Sequence, residues 1–279
     1  FLARDRMGIR PIFYTETNGR LLFASEVKAL LAGEGVSVEI DPVVLDQSLV
    51  YWSPLPGRTI FKGIKQVPPG HYLMRSAEGT FVKRYWSLSF PDANETSGKR
   101  GADSGTLREE FKALLDDATM IRLRADVPVG AYLSGGLDSS IIARIISSRS
   151  DAQLATFSVA FEDPNYDESA FQLRMAQLLG TRHEVVFATQ ADIAHAFESV
   201  VWHCETPVTR TAPAPMLLLS KLVRECGIKV VLSGEGADEC LAGYDLFKEA
   251  AIRRFCARQA GSEWRPKLLA RLYPDIARL

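Results

Sequence analysis

Apolar and polar positions follow two different rhythms along this chain. Within residues 1–90 the apolar runs are short: Phe1-Leu2-Ala3, Ile12-Phe13-Tyr14, Leu21-Leu22-Phe23-Ala24, His71-Tyr72-Leu73-Met74 and Thr80-Phe81-Val82. Asn18-Gly19, Pro54-Leu55-Pro56-Gly57 and Pro68-Pro69-Gly70 punctuate them, and such runs between turn signals predict strands. Residues 91–105 hold almost no apolar side chains and are rich in Gly, Ser, Asp, Asn and Lys, which predicts a linker. From Leu107 the period lengthens, with Leu107, Phe111, Leu114, Leu115, Ala118 and Ile121 at helical spacing. Strands are then predicted over 129–133, 154–161, 183–187 and 229–232, and helices over 141–146, 169–179, 193–202 and 216–226. This alternation predicts an α/β fold with a doubly wound parallel sheet, its ligands at the C-terminal ends of the strands.

Between the first of these strands and its helix stands Ser134-Gly135-Gly136-Leu137-Asp138-Ser139-Ser140. Glycines let a backbone approach an anion closely, and a new helix offers unpaired N–H groups and the positive end of its dipole. Asp138 repels a bare phosphate, so a bridging Mg²⁺ accounts for it. The string is not the GxxxxGK[ST] loop: it has no lysine and its glycines are adjacent. The plainer alternative is an ordinary turn with a capped helix, which the complete strand–loop–helix context disfavours.

A second loop, Ser233-Gly234-Glu235-Gly236-Ala237-Asp238-Glu239, follows another apolar strand about a hundred residues later. By itself it reads as a solvated acidic turn. At the end of a second strand it reads instead as a site where one carboxylate holds a metal and another handles protons.

Composition narrows the classes. The 279 residues carry 33 Lys and Arg against 34 Asp and Glu, and 47% are hydrophobic, as in an ordinary globular protein of about two domains. No basic excess points to nucleic acid or an anionic membrane surface, and no apolar run reaches the length of a membrane span. Cys204, Cys226, Cys240 and Cys256 form no CxxC or zinc spacing, so reduced thiols in a cytoplasmic protein are expected. No secretory signal is read, although Phe1 is not a natural start and an upstream segment is expected.

SGGLDSS and SGEGADE in this order resemble the synthetase domain of glutamine-hydrolysing asparagine synthetases, which is of the ATP-pyrophosphatase (adenine nucleotide α-hydrolase-like) type. Ala3 to Pro11 and Phe23 to Leu30 are similar to the end of that family's N-terminal-nucleophile glutaminase domain, and Ile64 to His71 to the stretch after it. The resemblance implies a β-rich glutaminase remnant over 1–90, a linker over 91–105 and a synthetase domain over 106–279. It implies that aspartate is activated by ATP as β-aspartyl-AMP and that ammonia from glutamine displaces AMP. Carried over by position, Ser134, Gly135, Gly136, Leu137, Asp138, Ser139 and Ser140 hold pyrophosphate, and Leu133, Val159, Ser233 and Gly234 surround the adenosine. Asp138 and Asp238 coordinate Mg²⁺, with Asp138 and Glu235 as the catalytic carboxylates, Glu235 receiving the ammonia's proton. The implied cofactors are ATP and Mg²⁺, with aspartate and ammonia or glutamine as substrates and a homodimer as a candidate assembly. Thr209, Arg210 and Thr211 fall where the family binds the acyl acceptor, with Arg210 either pairing a carboxylate or standing as a surface charge. His203 and Glu205 are open between substrate contact and structure, and Asp167-Glu168-Ser169 reads as a helix cap after Pro164-Asn165.

Three departures from the family pattern bear on activity. Phe1 stands where no cysteine nucleophile is present, and the first cysteine is Cys204, so glutamine hydrolysis by the family mechanism is not expected. The family continues past Leu279 with a helical part that contributes a lysine to the phosphate site. Ala242 replaces a usual glycine, a cost only if the backbone there needs positive φ. A lactam-forming or other amide-forming synthetase of the same fold, or a catalytically incomplete ATP-binding fragment, are the alternatives.

Overall fold

The computed structural model describes residues 1–90, 103–149 and 153–273. The first part of the chain runs β1 (Leu2–Ala3), β2 (Phe13–Thr17), β3 (Arg20–Ala24), α1 (Val27–Leu31), α2 (Pro42–Tyr51), β4 (Lys65–Gln66), β5 (His71–Ser76) and β6 (Gly79–Arg84). Then follow α3 (Ser104–Arg122), β7 (Val129–Tyr132), α4 (Leu137–Ser147), β8 (Ala155–Phe161), α5 (Ser169–Leu179) and β9 (Arg182–Ala188). The rest is α6 (Gln190–Cys204), α7 (Pro213–Glu225), β10 (Val230–Leu232), α8 (Ala237–Leu241), α9 (Asp245–Ala257) and α10 (Lys267–Leu272). Of the linker expected over 91–105, residues 91–102 lie outside the described residues, and Ser104 and Gly105 open α3. The chain divides into two compact units, 1–111 with 188–220 and 112–187 with 221–279.

The first unit holds two three-stranded sheets, ordered β1-β5-β6 and β3-β2-β4, with antiparallel pairings. Asn18 and Gly19 make the β2–β3 hairpin turn, both at positive φ (50° and 73°), which suits Asn-Gly and the twist of the flanking strands. Tyr14, Val67 and Leu73 form one core cluster, and Val27, Leu30 and Ile64 another. Arg4 is buried yet donates to the carbonyls of Arg10 (3.0 Å), Val67 (2.8 Å) and Gly8 (2.8 Å). Asp5 accepts from the N–H groups of Met7, Ile9 and Arg10. The string around Arg4 and Asp5 is thus a loop stitched by its own side chains.

The second unit is built on a sheet ordered β10-β7-β8-β9, in which β7 pairs parallel with both β10 and β8. Strand order runs outward from β7 through β8 and β9, whereas β10 joins on the opposite side. The junction of β7 and β10 is therefore a topological switch point, the place where open parallel sheets bind their ligands. Ala131, Leu133, Ala143, Ile146, Leu154, Ala176 and Leu232 form the core beneath it.

Candidate functional site

Both loops singled out in the sequence leave strands at this switch point. Leu133 directly follows β7 with its side chain in the core; its N–H donates to Phe157 O (2.9 Å) and its carbonyl accepts from Ser158 Oγ. Gly135 then turns the chain at φ 81°, and α4 begins at Leu137, four residues before the apolar run that suggested it. Gly136 occupies the N-cap position and no side chain caps the helix, so its first N–H groups face the loop without a side-chain partner. Two of the loop's three hydroxyls, those of Ser134 and Ser139, bond within the loop. Ser134 Oγ and Ser139 Oγ share a 2.9 Å bond, the Ser134 N–H donates to Ser139 Oγ (3.1 Å), and the Gly136 N–H donates to Ser134 Oγ (3.3 Å). Ser140 Oγ is buried with no hydrogen-bond partner among the described residues.

The acidic loop packs directly on this helix start. A Cβ placed on Gly234 would stand 2.8 Å from Asp138 Cβ and 2.8 Å from the backbone nitrogen of Ser139, so only glycine allows the approach. Gly236 has φ 92° and starts α8, whose first turn carries Asp238 and Glu239; Glu235 is exposed just before it. A Cβ on Gly243 would run into Asp238 Oδ1, so a larger residue there displaces that carboxylate. Tyr244 Oη donates to Glu239 Oε1 (2.8 Å), and that bond, with Asp238 and Glu235 nearby, raises the phenol's pKa. Ala242 has φ 60°, so the residue in place of the usual glycine does occupy the left-handed region.

Asp138 in the first turn of α4 and Asp238 in the first turn of α8 thus belong to two loops in contact. Among the described residues no cluster of three or more His, Cys, Asp or Glu could hold a metal. Asp138 and Asp238 would offer Mg²⁺ carboxylate oxygens, the donor type that this cation takes.

Residues 209–211 belong to the first unit. Arg210 lies over the Trp52 ring at 5.4 Å, a surface cation–π contact. Glu205 is structural: its carboxylate caps α1 by accepting from the N–H groups of Val27 and Lys28, both at 2.6 Å. Asp167 stands one residue before Glu168, the N-cap of α5 within the expected cap segment 167–169. Asp167 accepts from the Phe161 N–H (3.1 Å) and Ser169 Oγ (2.6 Å), tying the end of β8 to α5, while Glu168 occupies the N-cap position without a side-chain bond. Sequence reasoning missed Gln172, whose buried Nε2 donates to the carbonyl of Val159 (3.0 Å).

Residues 110–279 match the family model for asparagine synthase. The chain belongs to the asparagine synthase family. Residues 1–86 match the glutamine amidotransferase domain model. The chain is 40% identical to Amidase chyE of Penicillium rubens over 88% of its own length and 38% of that protein's. It is 35% identical to Amidase chry2 of Gibberella zeae over 90% of its length and 38% of that protein's. Against the glutamine-hydrolysing asparagine synthetase 3 of Bacillus subtilis it is 33% identical, over 97% of its length and 45% of the relative's. The chain therefore spans about two fifths of the length of these curated relatives. No helix among the described residues is long and apolar enough to cross a membrane.

Proposed function

We infer that the second unit carries the ATP-pyrophosphatase site of an ATP-dependent amidotransferase, one that forms a carbon–nitrogen bond on an acyl-adenylate. The observation that carries this reading is the contact of Gly234 with Asp138 and Ser139, which joins the acidic loop to the uncapped start of α4 at the switch point. Ser134 to Ser140 hold the pyrophosphate portion of ATP, and Val159 with Ser233 and Gly234 borders the adenosine. Asp138 and Asp238 hold Mg²⁺, which when bound offsets charge on the leaving pyrophosphate. The acceptor carboxylate attacks the α-phosphorus and pyrophosphate leaves; ammonia then attacks the acyl carbon and AMP leaves. The N–H groups at the start of α4 stabilise charge that develops on the departing phosphates. Exposed Glu235 takes the proton that the attacking ammonia sheds. Residues 1–90 are read as the end of a glutaminase-type domain and 106–279 as the synthetase domain.

Aspartate is the proposed acceptor, giving asparagine by way of β-aspartyl-AMP. A second reading has a different acid in that place. It is favoured by the Penicillium and Gibberella relatives, named amidases, which match at 40% and 35% identity against 33% for the Bacillus synthetase. Incubation with ATP, Mg²⁺, ammonium and one acid at a time decides, with AMP, pyrophosphate and the amide measured together. Asparagine with equimolar AMP supports the first reading; an amide formed only from another acid supports the second. ATP left intact with every acid contradicts both.

A further inference from the structure

Gln172, in the first turn of α5, is 4% exposed, and its side-chain amide is only half satisfied. Nε2 donates to the carbonyl of Val159 at 3.0 Å, whereas Oε1 is buried without a hydrogen-bond partner among the described residues. The amide cannot simply be turned over, because the Val159 carbonyl accepts and needs the nitrogen. A buried acceptor without a donor is a stability cost that a methionine of similar length would not carry. Packing alone therefore does not account for glutamine at this position.

The same turn of α5 also walls the phosphate loop. A Cβ on Gly135 would stand 2.8 Å from Phe171 Cβ and 3.0 Å from the backbone nitrogen of Gln172. One turn of helix thus touches Gly135 with its backbone and holds Val159 with its side chain. We propose that Gln172 is a positioning residue that sets the distance between the phosphate loop at Gly135 and the end of β8 at Val159, and so the fit of a nucleoside triphosphate that must reach both. The proposal rests on the nucleotide reading above.

The distinguishing consequence is that a ligand spanning both ends senses Gln172, while a ligand engaging one end does not. The test compares the parent chain with Gln172→Met and Gln172→Leu, neither of which has a donor for the Val159 carbonyl. ATP, adenosine and inorganic pyrophosphate are titrated separately, and thermal unfolding is followed alongside. ATP affinity is expected to fall about five- to tenfold in both variants, the scale of one hydrogen bond. Adenosine and pyrophosphate affinities stay within about twofold, and both variants remain folded at the titration temperature, their melting temperatures falling by no more than one lost hydrogen bond explains. Unchanged ATP affinity overturns the proposal, as does equal weakening for pyrophosphate and ATP, the mark of a general loosening of the phosphate loop. A folded parent chain that does not bind ATP overturns the nucleotide reading itself, and this inference with it.

Discussion

The carboxylate of Glu205 receives the backbone N–H of Lys28 at 2.6 Å, across 177 residues of sequence. Its other oxygen takes the N–H of Val27, also at 2.6 Å, and the Lys28 ammonium stands 3.2 Å away. Glu26, at the N-cap position of α1, supplies no side-chain bond, so Glu205 performs the capping from the far side of the sequence. Lys28 also lies over the Trp202 ring, 5.7 Å from its centroid, which fixes the end of α6 to the same place.

Replacing Glu205 by alanine removes three charge-assisted bonds from a side chain only 10% exposed. The expected loss is about 2–3 kcal/mol of stability. Urea unfolding measures it; a change below about 0.5 kcal/mol would show that the cap is dispensable.

Gly234→Ala places a Cβ 2.8 Å from the backbone nitrogen of Ser139, which cannot rotate away as a side chain would. The acidic loop must separate from α4, and ATP binding should fall at least about tenfold while the fold persists. Titration with ATP beside a circular dichroism spectrum checks both halves of that expectation.

Ala242→Gly should stabilise the protein. Alanine at φ 60° bears a left-handed penalty that glycine avoids, partly offset by the greater freedom of glycine in the unfolded chain. A gain of about 0.5–1 kcal/mol is expected, read as a rise in melting temperature.

His183 gives the protein an acid sensitivity. Burial pushes its pKa below the ordinary imidazole value, outweighing Glu184, which acts in the opposite sense. Its Nδ1 meets Thr156 Oγ1 at 2.9 Å, and its buried Nε2 has no partner among the described residues. Because the folded state disfavours the proton, this contribution is complete above the unfolded pKa of about 6.5 and is lost as pH falls from there through the folded value. Stability measured from pH 8 down to 5 should decline less steeply in His183→Gln than in the parent.

Much of the second unit was legible because its signals are local. Val129 to Leu133, the glycine pair and the run to Ile146 state strand, turn and helix in order, and α5 lies over the residues that its periodicity predicts. The strand order was not legible, since nothing in Val230 to Leu232 says that it pairs with Val129 to Ala131. Helix α2 escaped because its apolar residues lie all round: Val44 is buried, whereas Val43, Leu49 and Val50 are exposed. Asp41-Pro42 was its readable signal, as the Asp41 side chain accepts from Val43 and Val44 and proline starts the helix. Glu205 in the first unit and Gln172 in the second act on residues far from them in sequence or across a helix turn, which no periodicity reveals. The contact of Gly234 with Asp138 is likewise a product of strand order.

The most direct test of the central claim is exchange of radiolabelled pyrophosphate into ATP with Mg²⁺, with and without aspartate, in the parent chain and in Asp138→Ala. Acid-dependent exchange in the parent that is lost in Asp138→Ala is the predicted result, and dependence on aspartate identifies the acceptor. Exchange that persists undiminished in Asp138→Ala would contradict the assignment of the phosphate loop. A folded parent chain that shows no exchange with any carboxylic acid would contradict adenylate formation by this chain.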